Sequence, residues 1–171
     1  DVISIPAEAS SQPPSRRIVR SRVSIDAAAS GAENMYRDRL LLEQTESSAD
    51  LVTVVRLYGW SRPTVSLGRH QDPAQAIDLP YCKRNEIEWV RRPTGGRAVL
   101  HDEELTYAVV SNDPHLFPLG SISATYRLVS EILARGLGAL GGTVSLQRRG
   151  GRAVHKGVTI NPCFATASRH E

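Results

Sequence analysis

The sequence has no long apolar run, no paired-cysteine pattern and no internal repeat, and each absence narrows what it can be. Without a stretch of about 18 apolar residues, nothing in it is expected to span a membrane. Its opening residues, DVISIPAEASSQPPSR, lack the apolar centre of a secretory signal. The two cysteines, Cys82 and Cys163, lie far apart; two are too few for a disulfide framework, and no CxxC spacing suggests a metal or dithiol site. No metal is therefore expected, and a reducing cytoplasm is the expected compartment. No initiator Met opens the sequence and no terminating signature follows Arg169-His170-Glu171, so the chain is expected to be part of a longer one.

What is present fits one globular domain. The 171 residues are enough to bury a core, and 40% hydrophobic with 23% charged residues is ordinary for such a domain. A net charge of +3 suits an anionic substrate without requiring nucleic acid. The basic residues are mostly arginine, which favours fixed contacts to carboxylate or phosphate. Residues 1–16 are Pro/Ser-rich and aperiodic and read as a flexible leader; residues 17–171 form the expected domain.

Within that domain, Arg17 to Ser24 suits a first strand. SGAENMYRDRLLLEQ follows as a helix, with Ser30 and Glu33 at capping-box spacing and Met35, Leu41 and Leu42 as its apolar stripe. Asp38 falls at the edge of that stripe and reads as a solvated rim residue. LVTVVRLYGW (51–60) has the β-branched content of a buried strand, and SRPTVSLGRHQD supplies a turn, a short strand and a loop. Leu79 to Asn85 reads as a short helix carrying Cys82 as a small core residue. Ile87 to Arg92 and Ala98 to His101 read as strands flanking a glycine pair, and Leu105 to Ser111 alternates as a strand. The strongest helix is Ser121 to Leu140, with Ile122, Tyr126, Val129, Leu133, Leu137 and Leu140 on one face, Arg127, Glu131 and Arg135 on the other, and Gly141-Gly142 ending it. The order of elements predicts an α+β fold with a mixed or antiparallel sheet.

The chemistry concentrates in RRPTGGRAVLHDEELTYAVV (91–110). Glycines accept positive φ and let a ligand approach the backbone, and consecutive amides in such a turn can face an anion. Neither the Walker A nor the dinucleotide spacing is present. On the glycines alone, Thr94-Gly95-Gly96-Arg97 reads as a hairpin turn between its flanking strands; Arg91, Arg92, Arg97 and His101 crowded around it are more than a bare turn needs.

This stretch closely resembles the signature of the lipoate-protein ligase/octanoyltransferase family, whose catalytic domain is related to biotin protein ligase. The resemblance extends to SGAENMYRDRLLL, with Asn34, Met35 and Asp38 in register, and to RLYGWSRPTVSLGRHQD, with Trp60, Pro63, Ser66, Leu67 and Gly68 matching. It covers roughly Arg17 to Glu171 and implies the biotin/lipoate ligase catalytic fold, with Arg92 and Thr94, Gly95, Gly96, Arg97, Ala98, Val99 and Leu100 lining an acyl or acyl-adenylate pocket and His101 beside it. Many ATP-using members carry a third glycine where this chain has Arg97, so the sequence resembles the Cys-dependent octanoyltransferase branch. That branch implies Cys163 as the nucleophile that carries octanoate as a thioester and passes it to a lysine of a lipoyl domain; from context alone a small core role for Cys163 is nearly as good. Generic candidates for its base are His101, His155 and His170, whereas the family uses a Lys-x-x-Gly-Ser lysine; Lys156 is outside that motif, so the lysine is expected beyond Glu171 and these residues alone are expected to be inactive. The implied partners are an acyl carrier protein and lipoyl-domain proteins, namely the 2-oxoacid dehydrogenase E2 component and the glycine cleavage H protein. No cofactor is implied for this branch, whereas the rival lipoate ligase would need ATP and Mg. A non-catalytic module of the same fold is a further alternative. The run QRRGGR (147–152) reads as a basic loop for an acidic carrier, ahead of RNA binding.

Overall fold

The computed structural model describes residues 19–118 and 120–144. Its elements run β1 (Val19–Ile25), α1 (Gly31–Glu46), β2 (Leu51–Tyr58), β3 (Thr64–Leu67), α2 (Pro73–Ala76), α3 (Leu79–Arg84), β4 (Glu88–Arg91), β5 (Val99–His101), β6 (Thr106–Ser111) and α4 (Ile122–Ala139). They form two mixed three-stranded sheets. In one, β2 is central, parallel to β1 (Val19 opposite Leu51) and antiparallel to β6 (Thr53 opposite Ser111). In the other, β3 is central, parallel to β4 and antiparallel to β5. The expected α+β class with mixed sheets is what the chain adopts. Parallel pairing of β1 and β2 needs a crossover, and α1 supplies it.

Helix α1 begins where Ser30 accepts a hydrogen bond from the Glu33 N–H at 3.3 Å. The capping box is only half made, because the Glu33 carboxylate accepts from Arg37 Nε at 2.7 Å. The helix packs on β2 and β6 of the first sheet and on β4 of the second, so it joins the two. Gly31 permits this: a Cβ there would lie 2.6 Å from Thr64 Cγ2. Its inner face is unexpectedly polar. Met35 is buried with Tyr58 and Trp60, but Leu41 and Leu42 are only half-buried, and Asn34 and Asp38 take up the rest.

Asp38 is therefore not a rim residue. It is buried, with one carboxylate oxygen accepting from Arg56 Nη1 at 2.7 Å and the other from the Tyr58 hydroxyl at 2.9 Å. The reason is Arg56, whose side chain points inward from β2 and is 1% exposed. Its Nε donates to Asp26 at 2.7 Å, its Nη2 to the Asn34 side-chain oxygen at 2.8 Å, and its guanidinium lies 3.9 Å over the Tyr58 ring. Arg56 holds the Asp26 carboxyl below the usual carboxylate range. Burial and the adjacent Asp38 charge push the Tyr58 hydroxyl upward, so it remains a donor.

The far face of β3 packs Val65 and Leu67 with Ala98, Ala76, Ile77 and Ile87, while Cys82 is buried on α3. Helix α4 has the predicted extent: Ser121 caps it, and Gly141 at φ 88° with Gly142 N–H donating to the Leu137 carbonyl closes it. No residue of α4 is buried among the described residues; Ile122, Tyr126, Leu137 and Leu140 are all half exposed or more. No described helix is long and apolar enough to cross a membrane.

Removing one side of a buried ion pair leaves the other charge without compensation. Arg56→Ala is expected to destabilise the protein by about 3–5 kcal/mol. Urea denaturation measures this as a lower midpoint at nearly constant slope; an unchanged midpoint would show that α1 is held by other contacts.

Candidate functional site

Both strands predicted around the glycine pair are present, but they are not neighbours. Strand β3 runs between β4 and β5. The segment 92–98 is thus not a hairpin turn. It bridges from one edge of the sheet to the other, across the end of β3. Parallel pairing is the cause, since β4 leaves the sheet at the same end as β3 and the chain must pass over that end to return along β5.

The crossing leaves no room for side chains. A Cβ on Gly68, just past β3, would lie 2.0 Å from the Gly96 carbonyl oxygen, so the two backbones touch. Gly96 has φ 98°, a conformation that other residues rarely adopt. Gly95 has no atom within 4 Å of its missing Cβ and is exposed. The Arg69 N–H donates to the Thr94 carbonyl at 2.9 Å and fastens the bridge to the loop beneath it.

Two arginines, Arg91 at the surface and Arg92 half-buried, hold this arrangement. Arg91 Nη1 donates to the carbonyls of Gly68, Arg69 and Gln71 at 3.2, 2.9 and 2.7 Å. Arg92 directs donors at the protein from each of its nitrogens. Nε and Nη2 donate to the Gly95 carbonyl at 3.2 and 2.8 Å, Nη2 also to the Arg97 carbonyl at 2.7 Å, and Nη1 to the Ser66 carbonyl and hydroxyl at 2.8 and 3.1 Å. In a trans peptide the carbonyl and the next N–H point opposite ways. Drawing the Gly95 carbonyl onto Arg92 therefore turns the Gly96 N–H away from Arg92. That amide makes no hydrogen bond within the described residues.

His101 sits behind the bridge. Its ring is buried and stacked on Trp60, with centroids 4.1 Å apart at 10°. Nε2 lies 2.8 Å from Ser66 Oγ and Nδ1 lies 2.6 Å from Glu104 Oε1. Burial lowers the imidazole's pKa below its ordinary value, against the opposing pull of Glu104, so the ring is neutral at neutral pH. The carboxylate then takes the Nδ1 proton and leaves Nε2 as an acceptor for the Ser66 hydroxyl. The same Glu104 oxygen accepts from Thr106 at 2.6 Å, and Thr106 accepts from Trp60 Nε1 at 2.7 Å.

The predicted residues thus divide. Thr94, Gly95 and Gly96 are at the surface; Arg92 and Arg97 are half-buried; Ala98 and His101 are inside; Val99 is half-buried and Leu100 points outward. Ser66, Gly68, Glu104 and Thr106, which complete the network, were not singled out for a site role, because only the strand pairing brings them together. Cys163, His155, His170, Lys156 and the 147–152 run lie outside the described residues. Among the described residues no three His, Cys, Asp or Glu side chains are grouped to hold a metal ion. A cavity of about 330 Å³ between β1 and α1, lined by Arg22, Asp26, Arg37 and Leu41 among others, includes none of the bridge residues.

Residues 30–164 match the model of the lipoyl protein ligase A/B catalytic domain. Octanoyltransferase LipM of Moorella thermoacetica is 42% identical over 141 residues, 81% of this chain and 50% of that protein. Octanoyltransferase LipM of Bacillus subtilis is 39% identical over 113 residues, 66% of this chain and 40% of its own length. The chain thus spans about half the length of the curated relatives it matches, or less. Among solved structures, a lipoate-protein ligase A bound with ATP superposes with a TM-score of 0.60 at 26% identity, covering 84% of this chain and 53% of that one. The bipartite lipoate protein ligase of Thermoplasma acidophilum, solved in a study with its E2 lipoyl domain, gives 0.57 at 26%, covering 76% and 48%. With the family model spanning most of the sequence and the glycine bridge at its centre, the chain belongs to the lipoyl protein ligase A/B catalytic domain family.

Proposed function

We propose that the protein transfers an octanoyl group from an acyl carrier protein to a lysine of a lipoyl domain, through a thioester on Cys163. The observation that carries this reading is the glycine bridge, whose Gly96 N–H is turned outward by the bonds Arg92 makes to the Gly95 and Arg97 carbonyls. Such an N–H is a donor for the acyl oxygen, and with no side chain at Gly95 or Gly96 the head group can lie against the backbone. Arg92 serves the pocket chiefly by shaping the bridge, and its positive charge lies directly behind it. Thr94 and Arg97 border the head group, with Ala98, Val99 and Leu100 leading toward the acyl chain and His101 buttressing the bridge.

In the first half-reaction the Cys163 thiolate attacks the carrier thioester carbonyl, a C–S bond forms, and the carrier thiol leaves with a proton. In the second, the lysine amine attacks the enzyme thioester, an amide forms and the cysteine thiol is released. Charge gathers on the acyl oxygen in both, where a preorganised N–H acts most strongly. This route needs no cofactor. The lipoyl domains served are those of the 2-oxoacid dehydrogenase E2 component and the glycine cleavage H protein, in the cytoplasm. The relatives at 42% and 39% identity, named octanoyltransferases, favour this route over ATP-dependent lipoate ligation, whose structural example is 26% identical.

Incubating the full-length protein with octanoyl carrier protein should give a hydroxylamine-labile octanoyl adduct, absent in Cys163→Ala; full activity of that variant with an ATP requirement would falsify the thioester route. Gly68→Ala tests the bridge separately. Its new methyl displaces the Gly96 carbonyl, and a shift on the order of 1 Å should lower kcat/KM by about 100-fold. Unchanged turnover in Gly68→Ala would remove the bridge from the acyl site.

A further inference from the structure

Ser66, His101 and Glu104 stand at the distances of a hydrolytic triad, 2.8 and 2.6 Å apart, yet the arrangement cannot be a nucleophile. Ser66 is 2% exposed, and its oxygen already accepts a hydrogen bond from Arg92 at 3.1 Å. No acyl group can reach it. The order of donors instead gives the three residues a direction. Arg92 donates to the Ser66 oxygen, the Ser66 hydroxyl donates to His101 Nε2, and His101 Nδ1–H donates to Glu104. Every link has one donor and one acceptor, and the line ends on a carboxylate that Thr106 also anchors.

We propose that Ser66, His101 and Glu104 are positioning residues that fix the guanidinium of Arg92, and through it the outward N–H of the glycine bridge. The proposal rests on the reading of that bridge as the acyl-oxygen site. Arg92 is tied to the bridge carbonyls on one side and to Ser66 on the other. Ser66 can accept from Arg92 in a fixed direction only while its own hydrogen is taken by His101. The stacked Trp60 ring prevents the imidazole from turning away, at 4.1 Å and 10°.

The line works in one protonation state. The charged groups facing the imidazole are Glu104, on the loop between β5 and β6, and Arg92, across Ser66; Trp60 on its open face is uncharged. A proton added to Nε2 makes it a donor, reverses the bond to Ser66 and places a second cation near Arg92. Because burial holds the ring below its ordinary pKa near 6.5, the working neutral form still predominates at that pH and is lost only as the pH falls further. The bridge should loosen in the same interval.

The test uses full-length protein, His101→Phe, which keeps the stack and removes both hydrogen bonds, and Glu104→Gln, which changes a surface-accessible group while keeping its shape. Two readouts are taken between pH 5 and pH 8: kcat and KM for octanoyl transfer from carrier protein, and the ¹⁵N–¹H shifts of Gly95 and Gly96. In the wild type, the glycine amides and kcat should move together on acidification. In His101→Phe, kcat/KM should fall by about 10- to 100-fold, the effect of a displaced binding group, and neither readout should retain that acid transition. Glu104→Gln should shift the transition without abolishing it. Glycine amides that titrate identically in wild type and His101→Phe would overturn the relay, whatever the activity. Amides that follow His101 in a protein without octanoyl transfer would uphold the relay and overturn the acyl-transfer reading.

Discussion

Burying the guanidinium of Arg56 constrains everything placed around it. A charge removed from water needs partners with good geometry, and here they come from three places in the chain: Asp26 after β1, and Asn34 and Asp38 on α1. Those bonds set which face of α1 turns inward. That face carries Met35 onto Tyr58 and Trp60, and Trp60 in turn forms the platform for His101. The ion pair at one end of the core and the glycine bridge at the other are linked by this short series of packed rings. The second sheet is tied to the first through the same helix, whose opening glycine sits against Thr64.

The arginines give the site its character. Arg91 and Arg92 read in sequence as charges waiting for an anion, but both donate to backbone carbonyls of their own chain, Arg91 at the surface and Arg92 half-buried. A guanidinium is suited to this, with five N–H groups in a rigid plane and a charge that persists at any physiological pH. Lysine has neither the plane nor the reach to several carbonyls at once. The bridge is therefore held by the same residue type that elsewhere binds ligands, and Gly95 and Gly96 themselves are left as exposed bare backbone.

Period and capping made most elements legible. The β-branched run of β2, the alternation of β6 and the stripe of α4 all lie where their patterns indicated. Pairing was not legible, because a strand of four residues such as β3 carries no mark of its neighbours. The glycine pair between two strands looked like a hairpin for that reason, and Ser66, 35 residues from His101, gave no sign of touching it. Asp38 misled for a related reason: an acid on an apolar stripe belongs at the rim unless a cation is buried opposite, and Arg56 sits inside a run that otherwise reads as hydrophobic. The resemblance drew attention to the glycine pair, while Cys163, Lys156 and the 147–152 run lie outside the described residues.

The contact between Gly68 and Gly96 also orders events in time. A hairpin turn can form in microseconds from its own two strands, but this bridge has no shape until β4 and β5 have both docked on β3 and Gly68 lies beneath it. Its formation waits on pairings of long sequence separation, which are slow because loop closure precedes any gain from contact. A nascent or partly unfolded chain thus has no formed bridge at all. A ligand of the bridge would bind only the completed fold, and by mass action it would stabilise the native chain against every incomplete form.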